Sequence, residues 1–202
     1  MSSYKVISEV SKLLRQTLWE GFSSDNALTP QHVPNLESIV LMNPADAAQQ
    51  QNRRLSIWLY TVQESEHLRN ARPTRVPNDD SLVQYPPLPI NLFYLITPST
   101  NSVEGDQLVL GRTLQIFHDN ATLVLLSAED PGHNEELRVS MVQRDLRELA
   151  EVWEALQQPY RLSVCYEVRV PRIDSLRTER TGRISERRVD FQDNLQPVGA
   201  SA

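Results

Sequence analysis

The chain has 202 residues, 40% hydrophobic and 23% charged, enough to bury a core without metal or disulfide staples. Its formal net charge of −6 argues against wrapping duplex nucleic acid, which needs a basic field over at least one face. Cys165 is the single cysteine, so no intramolecular disulfide is possible, and no apolar run approaches the ~20 residues that span a bilayer.

The first element expected is an amphipathic helix over Tyr4–Glu20, with Val6, Val10, Leu13, Leu14 and Leu18 at helical spacing and Gly21 ending it. The same segment lacks the separate charged and apolar regions of a signal peptide, so synthesis is expected in the cytoplasm. Ser23–Asn35 reads as a loop. Ser38–Met42 follows as a short strand closed by Pro44.

Arg54–Val62 alternates Leu55, Ile57 and Leu59 with Ser56, Trp58 and Tyr60, which suits a strand covered on both faces. Ile90–Ile96 reads as a second such strand. Between them runs the polar, proline-rich stretch Glu64–Pro89, carrying Arg69, Arg72 and Arg75. A connection of that length without evident internal structure is uncommon and often functional, and it is read as an extended arm.

A second helix follows, with Asn101 and Glu104 spaced as a capping pair and Val103, Leu110, Leu114 and Phe117 on one face. Ala121–Leu126 is a strand or the end of that helix. Asp130–Glu135 is a turn, and Leu137, Val139 and Met141 alternate as a strand.

A third helix is capped by Asp145, with Leu146, Leu149, Ala150, Trp153 and Leu156 on its apolar stripe and Pro159 stopping it. The next strand sets Tyr160, Leu162, Val164, Tyr166, Val168 and Val170 on one face. Beyond Pro171 the periodicity fades. Arg172, Arg177, Arg180, Arg183, Arg187 and Arg188 sit among few apolar residues, Ile184–Phe191 is a candidate late strand, and Pro197–Ala202 is expected to be disordered.

These elements predict one α/β (α+β) domain over residues 1–173, a mixed sheet flanked by helices. Residues 174–202 form an arginine-rich, partly disordered arm or tail.

Motifs for chemistry are missing. His32, His67, His118 and His133 lie in separate segments with no i, i+4 pair, and there is no Cys-x-x-Cys, so no zinc spacing is met. The six glycines form neither a dinucleotide nor a P-loop pattern, and no Gly-x-Ser-x-Gly elbow occurs. Asp79 and Asp80 read as a solvated loop, His118 as a helix-terminal residue and Cys165 as a small buried apolar side chain. No catalytic, cofactor-binding or metal-binding residue is assigned.

The arginine-rich C-terminal stretch suits partner binding better than nucleic acid. Asp174, Glu179 and Glu186 interrupt it and no aromatic residue lies among its arginines to stack bases, whereas arginine pairs bidentately with carboxylates. A merely solvated tail is the plain alternative.

Four phrases carry a resemblance: Leu55–Asn70, Tyr85–Pro98, Leu110–Asn120 and Leu156–Arg169, in that order. Together they resemble the cap, or tail-terminator, proteins of extracellular contractile injection systems of the antifeeding-prophage and virulence-cassette type. The resemblance spans roughly residues 1–175.

It implies a fold like phage tail terminators, and a homo-hexameric ring that ends polymerisation of the inner tube and fastens the sheath. It further implies contacts with the inner-tube and sheath proteins, with neither nucleic acid nor membrane as partner. The projecting segments Arg69–Arg75 and Arg172–Arg188 are the candidates for gripping neighbours. Some relatives carry a further C-terminal region that this chain is too short to hold. Two other classes stay open: a different phage-tail-like adaptor (tail-completion or baseplate), and a small enzyme gathering His118 or Cys165 with a carboxylate in a deep pocket.

Overall fold

A computed structural model describes residues 4–25, 28, 31–66, 72–76, 79–126 and 134–180. The asparagine side chains at two turns start local structure. Asn35 accepts from the Ser38 amide to close a 3-10 turn over Leu36–Ser38, and Asn43 caps α2 (Pro44–Ala48), in which proline occupies the first turn. Pro44 therefore opens a helix rather than simply closing a strand.

A six-stranded mixed sheet forms the centre. Its strands are β1 (Ile39–Val40), β2 (Leu55–Glu64), β5 (Leu88–Pro98), β6 (Thr122–Leu125), β7 (Glu135–Val142) and β8 (Val164–Ile173), in spatial order β1-β2-β5-β8-β7-β6. β1 runs parallel to β2, and every other neighbouring pair is antiparallel.

One face is covered by α1 (Val6–Ser23) and α3 (Val103–Asp119). Val10, Leu14, Leu18, Phe22, Ile116 and Phe117 pack there on Leu55, Ile57, Leu92, Ile96, Leu137 and Val168. The opposite face is partly covered by α4 (Leu146–Ala155), whose Trp153 lies on Leu95 and Cys165 with Trp58, Tyr60, Val142 and Leu149 around it. Cys165 is indeed buried.

Several elements differ from the sequence reading for physical reasons. Gly21 does not end α1, which continues to Ser23. A Cβ on Gly21 would lie 2.5 Å from the Ile116 side chain, so the glycine serves the close approach of α1 and α3. Arg112 of α3 donates to the Gly21 carbonyl at 3.0 Å, satisfying one of the last acceptors of α1.

α3 is capped by Ser102, which accepts from the Gly105 amide at 3.0 Å, rather than by an Asn101–Glu104 pair. Val103, assigned to the apolar face of that helix, is 76% exposed. Asp145 caps α4 as expected, in a complete capping box with Glu148. On that helix Leu146 and Ala150 point to solvent and Val152 joins the packed side.

α4 ends at Ala155, ahead of Pro159, where Gln157 takes a positive φ of 53°. Ala121–Leu126 resolves into a strand, β6. Tyr160 and Leu162 precede rather than join β8, because the β5 ladder reaches no further than Ile96 opposite Val164. The expected turn at Asp130–Glu135 falls mostly outside the described residues, as do the candidate strand Ile184–Phe191 and the segment Pro197–Ala202.

The proline-rich connection contains two strands, β3 (Thr74–Val76) and β4 (Asp79–Gln84). They pair with β9 (Thr178–Arg180) in a separate sheet of order β3-β4-β9. β3 follows β2, β4 precedes β5 and β9 follows β8, so the small sheet repeats the order of the three central strands beyond one end of the large one. Pro86, Pro87 and Pro89, together with a register shift between Leu88 and Ile90, separate the two sheets.

Two glycine substitutions test this packing. Gly21→Ala is expected to lower stability by about 1–3 kcal/mol through overpacking against Ile116. Gly111→Ala, at a mid-helix position with nothing within 4 Å, should raise it by up to about 1 kcal/mol. Chemical denaturation of both variants reads the opposite signs.

Candidate partner-binding site

Members of the two arginine clusters, about a hundred residues apart in the chain, lie on or beside the small sheet. Arg75 lies on β3 and Arg180 on β9, with Arg72 just before β3 and Arg177 just before β9. The registers Arg75↔Val83 and Val83↔Glu179 put Arg75, Val83 and Glu179 side by side on one face. Leu82 and Arg180 point to the other.

Arg172 lies on β8, with its side chain outside the description. Arg69, Arg183, Arg187 and Arg188 lie outside the described residues.

A cluster at the base of this arm locks β4 to β9. The Arg177 guanidinium stacks over the Tyr85 ring, 4.2 Å from its centroid, and the Tyr85 hydroxyl donates to Glu179 at 2.8 Å. The Tyr85 amide donates to the Arg177 carbonyl at 3.1 Å, and Gln84 Nε2 to the Ser175 carbonyl at 3.0 Å. Glu179 holds the Tyr85 phenol above its ordinary pKa.

Arg177 is thereby engaged within the chain, whereas Arg72, Arg75 and Arg180 are exposed along the arm. Arg72, Arg75, Arg177 and Arg180 are offset by Asp79, Asp80, Asp174 and Glu179, so this arm is dipolar in pattern rather than uniformly basic. Hydrogen bonds from Ser81 hold the Asp79 carboxyl below its usual range, with the Arg180 charge adding a smaller effect.

The residues considered for chemistry lie in two separate hollows, and Cys165 shares its hollow with two carboxylates. Cys165 lines a hollow of about 630 Å³ beside α4, with Arg144, Asp145, Glu148 and Ser163. His118 lines another of about 490 Å³, bounded by Leu114, Phe117, Met141 and Tyr166. The first borders α4 and the second α3, on opposite faces of the sheet, so histidine and thiol do not meet.

Glu148 is occupied by the Asp145 amide and by Arg144, whose guanidinium also lies over the Phe93 ring. Burial pushes the Cys165 thiol up, away from thiolate, and pushes the Tyr60 phenol up to about 12. His67 and His133 lie outside the described residues. Among the described residues no group of three or more His, Cys, Asp or Glu side chains is placed to hold a metal, and no helix is long and apolar enough to cross a membrane.

Residues 9–187 match the model of the family described as the Pvc16 N-terminal domain. None of the curated proteins matches the chain. The fold is similar to that of the sheath/tube terminator, in its extended state, of an extracellular contractile injection system called PVC. That similarity has a TM-score of 0.61 and 20% identity over 97% of this chain and 67% of that one. A second similarity is to the tube-terminating cap of the anti-feeding prophage, with a TM-score of 0.46 and 26% identity over 67% of this chain and 48% of that one.

Two measurements check the chemistry of the buried groups. Cys165 should react with a thiol reagent far more slowly in the native chain than in the unfolded one; equal rates would contradict its burial. Tyr60 and Tyr94 are both raised from 10.0 to about 12, chiefly by burial. The stabilisation tied to their protonated forms is fully present below pH 10.0 and is lost as pH rises toward about 12. Alkaline unfolding should therefore fall in that window, and Tyr94→Phe should reduce its steepness.

Proposed function

The chain belongs to the Pvc16 N-terminal domain family, and on that premise we propose that it is a structural cap that ends the tube and sheath of a phage-tail-like contractile injection particle. The family match over residues 9–187 carries this reading. The fold shared with a sheath/tube terminator supports it, as does the arm. A terminator transforms no substrate. It needs a rigid body, flanks that close into a ring, and projections that reach the layers it ends.

The large sheet with helices on both faces supplies the rigid body. The β3-β4-β9 sheet supplies the projection and gathers Arg72, Arg75 and Arg180 at its surface. The partners are further copies of this chain in a ring of six, the inner-tube protein and the sheath protein. The chain is not an enzyme, and assembly takes place in the cytoplasm on a particle that is afterwards released. Charge complementarity along the arm selects the partner surface and its register.

Electron microscopy of particles assembled with and without this chain tests the function. Loss of a terminal disc and tubes of uncontrolled length are expected without it, and unchanged particles would sink the reading. Charge reversal of Arg69, Arg72 and Arg75 to Glu should leave the domain folded, by circular dichroism and thermal melting, while abolishing capping. Tubes of normal defined length from that variant would remove the arm from the mechanism.

A further inference from the structure

The large sheet ends in an edge that lacks the usual protection. β6 (Thr122–Leu125) pairs only with β7 in the sheet order, and among the described residues no strand lies on its outer side. The Val139 amide donates to the Ala121 carbonyl at 2.8 Å, and the register Thr122↔Arg138, Leu123↔Leu137, Val124↔Glu136 follows from there. In an antiparallel ladder this directs the amide and carbonyl of Leu123 and Leu125 toward β7, and those of Thr122 and Val124 outward.

Val124 is 50% and Leu126 71% exposed. The strand is only four residues long, but it carries no charge, no proline and no bulge, three further devices by which edges are kept from pairing.

The small sheet also ends in an open strand. Among the described residues β3 pairs only with β4; it carries Arg75 and a register shift between Arg75 and Val76, so its edge is less plain than that of β6. Because β3-β4-β9 runs in the order of β2-β5-β8, β3 lies on the β2 flank of the molecule, whereas β6 lies on the flank beyond β8. β6 also finishes at the arm end of the large sheet, since it is antiparallel to β7 and β7 is antiparallel to β8.

The two open edges differ in charge. Residues 69–76 carry Arg69, Arg72 and Arg75 and no carboxylate, whereas residues 122–138, which take in all of β6 and its partners on β7, carry Glu129, Asp130, Glu135 and Glu136 against one arginine, Arg138.

We propose that the β3 edge of one copy adds to the β6 edge of the next, joining the small sheet of one subunit to the large sheet of its neighbour. This rests on the ring reading above and specifies its closing surface. Two different surfaces on opposite flanks make a head-to-tail contact, the kind that closes into a ring when the rotation per subunit permits. Main-chain hydrogen bonds supply the adhesion, and Arg72 and Arg75 facing the acidic β6–β7 hairpin set direction and register. β9 is the less suitable edge, since it carries a carboxylate, Glu179, that would meet the acidic hairpin.

Disulfide trapping in assembled particles tests this. In a Cys165→Ser background, one population carries Val124→Cys and another Arg75→Cys, co-expressed during assembly. A covalent dimer that needs both cysteines is expected. Its absence from particles that contain the chain overturns the proposal, as does cross-linking of Val124→Cys to a tube or sheath protein instead.

A charge exchange gives a second measurement. Arg75→Glu should lower the yield of ring by at least tenfold, and Glu136→Arg in the same chain should restore it. No restoration counts against the pairing. Tube length on the same particles reads capping separately, so a trapped dimer in particles of uncontrolled length keeps the interface and removes the cap function.

Discussion

Strand β5 is buried on both faces, and the other strands, the helices and the arm are arranged around it. Leu92, Tyr94 and Ile96 face α1 and α3, while Phe93 and Leu95 face the side that α4 partly covers. β2 and β8 flank it with long antiparallel ladders, so its backbone groups are paired in a region that excludes water. Tyr94 shows how strict that exclusion is. Its ring is fully buried at the centre, its hydroxyl meets Ser11 of α1 at 2.8 Å, and the phenol resists ionisation up to about 12.

From this constraint follows the placement of the projecting sheet. β2, β5 and β8 are adjacent and alternate in direction, so the chain enters or leaves all three at one end. The segments that continue them, β3, β4 and β9, are delivered there side by side. Short polar strands such as these gain little from burial, since β9 is wholly exposed. Their pairing is held by main-chain bonds and by the Tyr85, Arg177 and Glu179 cluster at the base. An arm built this way is anchored in the rigid centre while presenting its backbone edge and its arginines outward.

Helix packing shows a related division of labour. The complete capping box of α4 starts that helix at Asp145, and Trp153 pins it over Cys165. α4 covers only part of its face, leaving hollows along its flank in which polar groups are paired with one another, Arg144 with Glu148 above all. In that surface Glu148 accepts from the Asp145 amide, and burial raises the pKa of the Cys165 thiol.

Patterns of burial were legible in the amino-acid order alone. Val10, Leu14 and Leu18 at helical spacing and Leu55, Ile57, Leu92 and Ile96 at strand spacing all lie in the core, because a wrong period would place apolar side chains in water. The four ordered phrases carried the resemblance to the family, and each of them contributes residues to that core. What the sequence could not reveal were features whose stability comes from distant partners. Gly21 reads as a helix stop until Ile116 is seen against it. Thr74–Val76, Asp79–Gln84 and Thr178–Arg180 have too little apolar alternation to announce strands, and they become strands only where the ends of β2, β5 and β8 bring them together. Local periodicity thus determined which side chains are inside, whereas the arm, and with it the placing of Arg75 and Arg180 on one small sheet, was decided by tertiary structure, because hydrogen bonds between segments a hundred residues apart leave no mark on either segment alone.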